Sequence, residues 1–173
     1  ITDVKLSSAL TSIGDEVFKG CSSLEKIEMP DSVTYIGRGA FTDCKKLKDI
    51  NLSKKLTKMG YEVFKNCVSI EEIEIPKSLQ SINYYNNYTT DRNDGIFTGC
   101  TGLKTVRFEE GITLIPDCLL KNCPEIEKIE IPDTVTKIDA GAFAFCEKIT
   151  DVKLSSALTS IGDEVFKGCS SLE

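Results

Sequence analysis

Cysteine is the residue with most chemistry to offer in this 173-residue chain, as nucleophile, metal ligand or disulfide partner. Eight are present and histidine is absent, so no imidazole is available to activate a thiol or to share a metal. Cys21, Cys44 and Cys67 stand 23 residues apart, as do Cys100, Cys123, Cys146 and Cys169; the one irregular interval, Cys67 to Cys100, is 33. No C-x2-C pair occurs, which argues against the usual zinc spacing. If successive periods stack as strands do, neighbouring Cα atoms about 4.8 Å apart fall within disulfide reach. Seven parallel side chains nevertheless leave one unpaired, and free cysteine packs as a small hydrophobe. The expectation is a column of buried free thiols. Cys118 alone is off the register. It aligns with Glu16, Gly39, Glu62, Gly141 and Glu164, a polar column expected to face solvent, where it is either a reactive or intermolecular thiol or an incidental one.

Other candidate chemistry is sparse. Ser23 and Lys26 form S-x2-K without companions, and the carboxylates repeat on regular columns rather than converging. The expectation is no enzyme, no cofactor and no metal. The extra ten residues between Cys67 and Cys100 lie near positions 84–93 and read YYNNYTTDRN. Tyr84, Tyr85, Asn86, Asn87, Tyr88, Asp91 and Arg92 are a candidate binding loop, because Tyr and Asn make adaptable contacts and polar loops on rigid scaffolds carry binding. A solvated bulge is the plainer reading. Asp91, Asn93 and Asp94 are oxygen-rich, but Gly95 comes one place too early for an EF-hand type of loop. Asn51 and Asn87 open glycosylation sequons, which matter only in a glycosylating host.

Composition narrows the class. The chain has 21 basic and 27 acidic side chains, a net charge of −6, which argues against nucleic acid as a partner. No apolar run approaches the roughly 18 residues of a membrane span, so membrane insertion is not expected.

The elements that must position the cysteines share their period. Phe18, Phe41, Phe64, Phe97, Leu120, Phe143 and Phe166 stand three residues before each one, and Leu24, Leu47, Ile70, Leu103, Ile126, Ile149 and Leu172 three after. A further three along come Ile27, Ile50, Ile73, Val106, Ile129 and Val152. A fixed period of this length marks a solenoid whose coils bury their apolar side chains only by stacking. Within one coil, the I-x-M alternation around Ile27 and Met29 predicts a short strand, ended by Pro30. Val33 and Ile36 then return inward on an extended stretch. The column Gly14, Gly37, Gly60, Asn83, Pro116, Asp139 and Gly162 suits a helix N-cap or first turn. The column Gly20, Asp43, Asn66, Gly99, Asn122, Phe145 and Gly168 suits the left-handed residue that closes a helix, except at Phe145. A helix of about one and a half turns is therefore expected between them.

The repeating core, F-x2-C-x2-L-x2-I-x-I-P, resembles the BspA-like subclass of leucine-rich repeats over essentially the whole chain outside the insertion. The resemblance implies an α/β solenoid: a right-handed superhelix with a parallel sheet of short strands on one face and short helices on the other, in a single domain over 1–173. It also implies a secreted or surface-attached protein serving adhesion or binding, and no catalytic residues. The structural ladder would then be Phe18, Phe41, Phe64, Phe97, Phe143 and Phe166 with the seven registered cysteines. The candidate concave face is Glu28, Asn51, Glu74, Arg107, Glu130 and Lys153. A neighbouring outward column, Glu25, Lys48, Glu71, Lys104, Glu127 and Thr150, alternates in sign, so stacked neighbours are expected to attract.

Residues 1–25 and 149–173 are the same string, ITDVKLSSALTSIGDEVFKGCSSLE. The offset of 148 is six periods of 23 plus the ten inserted residues. The expectation is a copied super-repeat whose ends join identical modules, by peptide bond or by stacking. Two functions follow: a scaffold that binds a protein or a host or matrix ligand, or a structural rod with no dedicated ligand.

Overall fold

The computed structural model describes residues 2–83 and 95–173. The chain winds as a parallel β-solenoid, and every coil contributes two short strands. The first series is β1 (Asp3–Lys5), β3 (Lys26–Glu28), β5 (Asp49–Asn51), β7 (Glu72–Ile75), β9 (Thr105–Phe108), β11 (Lys128–Glu130) and β13 (Asp151–Lys153). The second is β2 (Ser12–Ile13), β4 (Tyr35–Ile36), β6 (Lys58–Gly60), β8 (Ser81–Asn83), β10 (Leu114–Ile115), β12 (Lys137–Ile138) and β14 (Ser160–Ile161). Pairing keeps the sequence period: Val4 lies beside Ile27, Ile27 beside Ile50, and Ile129 beside Val152. The extended return through Ile36 is thus a second parallel ladder, β2-β4-β6-β8 and β10-β12-β14.

The expected helices are absent among the described residues. The segment before each cysteine is a run of tight turns instead. Half of its N–H groups close turns within the coil, as Cys44 does onto the Phe41 carbonyl at 3.1 Å. The alternate ones donate to the next coil: Gly39 to Tyr61, Phe41 to Val63 and Asp43 to Lys65, at 2.8–3.0 Å. An α-helix of one and a half turns would leave its first four N–H groups without internal acceptors and barely repay nucleation, whereas here alternate ones bond the next coil. Two left-handed residues in each such segment, except that of Gly99, which has one among the described residues, enforce the alternation. One is the anticipated column, where even Phe145 has φ 61°, and the other lies four residues earlier, at Glu16, Gly39, Glu62, Cys118, Gly141 and Glu164.

The glycine column has a different cause from helix capping. Gly37, Gly60 and Gly162 do not have positive φ, but a Cβ on any of them would collide with backbone of the preceding coil, such as the Arg38 nitrogen beneath Gly60. Coils approach too closely there for a side chain that points down the stack.

The interior is continuous. Phe41, Phe64, Phe97 and Phe143 are fully buried, while Phe18 and Phe166, in the first and last coils, are half-buried. Rings stack with centroids 5.2–5.3 Å apart from Phe18 through Phe97, and 5.5 Å apart for Phe143 and Phe166. Leu120 fills the same column between the two stacks and is equally buried.

Candidate functional surfaces

The cysteine column lies inside the solenoid. All eight cysteines are free, and each registered thiol from the second coil onward donates to a carbonyl of the coil before. Cys44 reaches Phe18, Cys67 reaches Phe41 and Cys100 reaches Phe64 at 3.0–3.1 Å. Cys123 reaches Phe97 at 3.5 Å, Cys146 reaches Leu120 at 3.1 Å and Cys169 reaches Phe143 at 3.2 Å. Burial pushes the Cys44 thiol up to about 11 and those of Cys100 and Cys146 up to about 12, and raises Cys67 and Cys123 further. Such thiols are neutral and poorly nucleophilic at physiological pH. They are cohesive groups, each tying its coil to the one before.

Cys118 does not face solvent as its column predicts. It is buried in the structure, with its Sγ 3.8 Å from the Ala140 carbonyl oxygen. The space exists because Gly141 follows it in the next coil; a Cβ there would stand 3.3 Å from the sulfur.

Glu28, Asn51, Glu74, Arg107, Glu130 and Lys153 are all exposed on the first strand series. Register places them as three adjacent pairs, Glu28 with Asn51, Glu74 with Arg107, and Glu130 with Lys153. The sheet divides between the pairs: β5 is not hydrogen-bonded to β7, nor β9 to β11. At these openings Ile50 and Val106 are half-buried, whereas their neighbours in the column, Ile27, Ile73 and Ile129, are sealed. A groove of about 710 Å³ runs beside the first opening and is lined by Lys48, Asp49, Val68, Glu71, Glu72 and Lys104, among others. The expected attraction along the alternating column is realised between Lys48 and Glu25, 3.7 Å apart. Lys48 and Glu71 are separated by the division.

The charges on this face are largely turned on one another. Lys26 pairs with Glu28 at 2.7 Å, Arg107 with Glu72 at 3.1 Å, and Lys128 with Glu130 and Asp151 at 3.0 and 3.5 Å. Lys26 holds the Glu28 carboxyl below its ordinary range, as Lys128 does for Glu130, first by hydrogen bonding and then by charge. These groups are exposed, so the pairs orient side chains more than they stabilise the fold. Among the described residues no group of three or more His, Cys, Asp or Glu side chains is placed to hold a metal ion. Tyr84, Tyr85, Asn86, Asn87, Tyr88, Asp91 and Arg92 lie outside the described residues, as do Asn93 and Asp94.

Two strands per coil, a paired Phe–Cys interior and the 23-residue register define a leucine-rich-repeat solenoid. The chain belongs to the family described as BspA type leucine rich repeat region, matched as six copies over residues 1–91 and 86–173. Among solved structures it is similar to a leucine-rich repeat protein of T. pallidum, TpLRR, at 29% identity and TM-score 0.71, over 95% of this chain and 72% of that one. It is also similar to the pneumococcal vaccine antigen PcpA, at 25% identity and TM-score 0.58, over 95% of this chain and 42% of that one. A leucine rich cell surface protein of Faecalibacterium prausnitzii shares the fold at 21% identity and TM-score 0.51, over 96% of this chain and 64% of that one. The chain therefore spans well under half of PcpA and about two thirds of the other two. No curated protein matches it in sequence. The matching family is a repeat region rather than a catalytic domain. No helix among the described residues is long and apolar enough to cross a membrane.

Proposed function

We propose that this chain is a non-catalytic repeat scaffold at the cell surface or in secretion, where it binds a protein or a host or matrix ligand, as one module of a longer array. The observation that carries binding is the division of the first sheet. Ile50 and Val106 emerge there between rows of charged side chains, giving apolar contact area with a polar rim, the usual anatomy of a recognition surface. Similarity to a vaccine antigen supports the surface location. The candidate loop at 84–93 is a second contact region on the same scaffold.

The test is retention of the chain on immobilised extracellular matrix, compared with Ile50→Lys/Val106→Lys and with a deletion of residues 84–93. Retention that falls in at least one variant, with circular dichroism unchanged, supports the reading. Equal retention in all three, or none in the parent, contradicts it.

A second reading, a structural rod of identical modules, is favoured by the exact 25-residue duplication. An identical string at each junction would make every junction the same. Intact mass and rotary-shadowed images of the native product would separate the two: uniform rods without a retained ligand favour the strut.

A further inference from the structure

Charge on the first sheet is balanced inside each block of strands and not between the first two blocks. Register sets Lys26 between Asp3 and Asp49 within β1-β3-β5, and Lys128 beside Asp151 within β11-β13. One period beyond Asp49 stands Glu72, on the far side of the first division. Two carboxylates therefore face each other there. The cations that could neutralise them are turned elsewhere. Lys26 reaches Glu28 at 2.7 Å, Lys48 reaches Glu25 at 3.7 Å, and Arg107 holds Glu72 from the β9 side at 3.1 Å. Among the described residues no side chain is bonded to the Asp49 carboxylate.

Asp49 and Glu72 stand where two grooves meet. Both line the groove of about 710 Å³ and a second of about 360 Å³ that runs along Ile27, Ile50 and Asn51. Val68, 40% exposed, gives the first an apolar wall, and half-buried Ile50 gives one to the second. Charge along the larger groove is negative on balance, with Asp49, Glu71, Glu72 and Glu125 against Lys48 and Lys104. The backbone adds acceptors. Carbonyls alternate in direction along a parallel strand, and that of Asn51 accepts from the Met29 N–H on the β3 side. Those of Lys48 and Ile50 thus turn toward the division, where β7 is not hydrogen-bonded to them.

Apolar walls beside carboxylates and carbonyl acceptors suit an aliphatic stem that ends in a cation with several N–H donors. A bare metal ion would leave Ile50 and Val68 uncovered, and a polyanion would meet like charge. We propose that the first division is the docking site for a lysine or arginine side chain on a basic segment of a protein partner. Its charge lies between Asp49 and Glu72 and its stem along Ile50 and Val68. The inference rests on the binding reading above and narrows the partner, which that reading leaves as any protein or matrix ligand.

The experiment is a residue-resolved NMR titration of the full chain with a short lysine–serine peptide, blocked at both ends, and with its glutamate–serine counterpart. The lysine peptide should shift the amides of 48–51 and 68–72 first, and the glutamate peptide should not bind. Asp49→Asn/Glu72→Gln should weaken lysine-peptide binding about fivefold or more, the worth of two lost charge contacts. Asp3→Asn/Glu147→Gln removes the same net charge elsewhere and should leave binding near the parent value. Asp49→Glu/Glu72→Asp keeps both charges and should do the same. The proposal is overturned by no binding of the lysine peptide at millimolar concentration, or by equal binding of the glutamate peptide. Equal weakening in the two charge-removing variants, or loss in the charge-keeping one, also overturns it. Failure here is separable from failure of the scaffold reading. Matrix retention that the lysine peptide does not compete, and that survives in Asp49→Asn/Glu72→Gln, keeps the scaffold and removes this site.

Discussion

The thiol of Cys67 donates to the carbonyl oxygen of Phe41, 3.1 Å away and 26 residues earlier in the chain. Neither residue's own coil could supply this contact. It repeats up the interior, so the same residue types that pack the core also tie each coil to the one before.

Removing that tie should be measurable. Cys67→Ala loses a weak buried hydrogen bond and a little apolar volume, and should cost about 1–2 kcal/mol in urea unfolding. Cys67→Ser should cost more than Cys67→Ala. The shorter C–O bond draws the donor back from the Phe41 carbonyl and leaves a polar group poorly satisfied in an apolar interior.

The aromatic column should show position dependence. Phe64→Ala, between stacked Phe41 and Phe97, should cost about 3–5 kcal/mol through the cavity it leaves. Phe18→Ala should cost distinctly less, because Phe18 is half-buried and stacks on one side only. Equal losses at both sites would mean that the stack is not the source.

The period, the interior columns and the first strand of each coil are legible in the sequence, because they depend on side chains meeting their own copies 23 residues away. The turn segment is not. Its conformation depends on donors such as Phe41 and Asp43 bonding to the next coil, and on left-handed Glu16 and Glu62, residue types that carry no such signal. The burial of Cys118 is illegible for a related reason: its shelter is the missing side chain of Gly141, one coil away. The divisions beside Ile50 and Val106, which carry the proposed binding surface, leave no trace in the columns.

Alkaline titration should weaken the fold. The ordinary thiol value is 9.0, whereas Cys44 is raised to about 11 and Cys100 and Cys146 to about 12. Above pH 9 the unfolded chain releases thiol protons that the folded chain retains, so stability is full below pH 9 and falls as pH rises towards 11–12. Melting temperature measured from pH 7 to 11 should be level at first and then drop. Replacing Cys100 and Cys146 with alanine should flatten the drop.

Close approach of the coils predicts a contrast within one column. Gly60→Ala drives a Cβ into the Arg38 backbone and should cost about 1–3 kcal/mol. Gly14→Ala meets only the Val17 side chain, at 3.5 Å, and should be near neutral. Paired thermal melts decide it.

The most direct test of in-register stacking is the rate of thiol modification in the native chain at pH 8, resolved by residue. Stacked coils predict that Cys21, the one half-buried thiol, reacts first, while Cys44, Cys67, Cys100, Cys118, Cys123, Cys146 and Cys169 wait for unfolding. Modification of the interior column at the rate of the urea-unfolded chain would contradict the account.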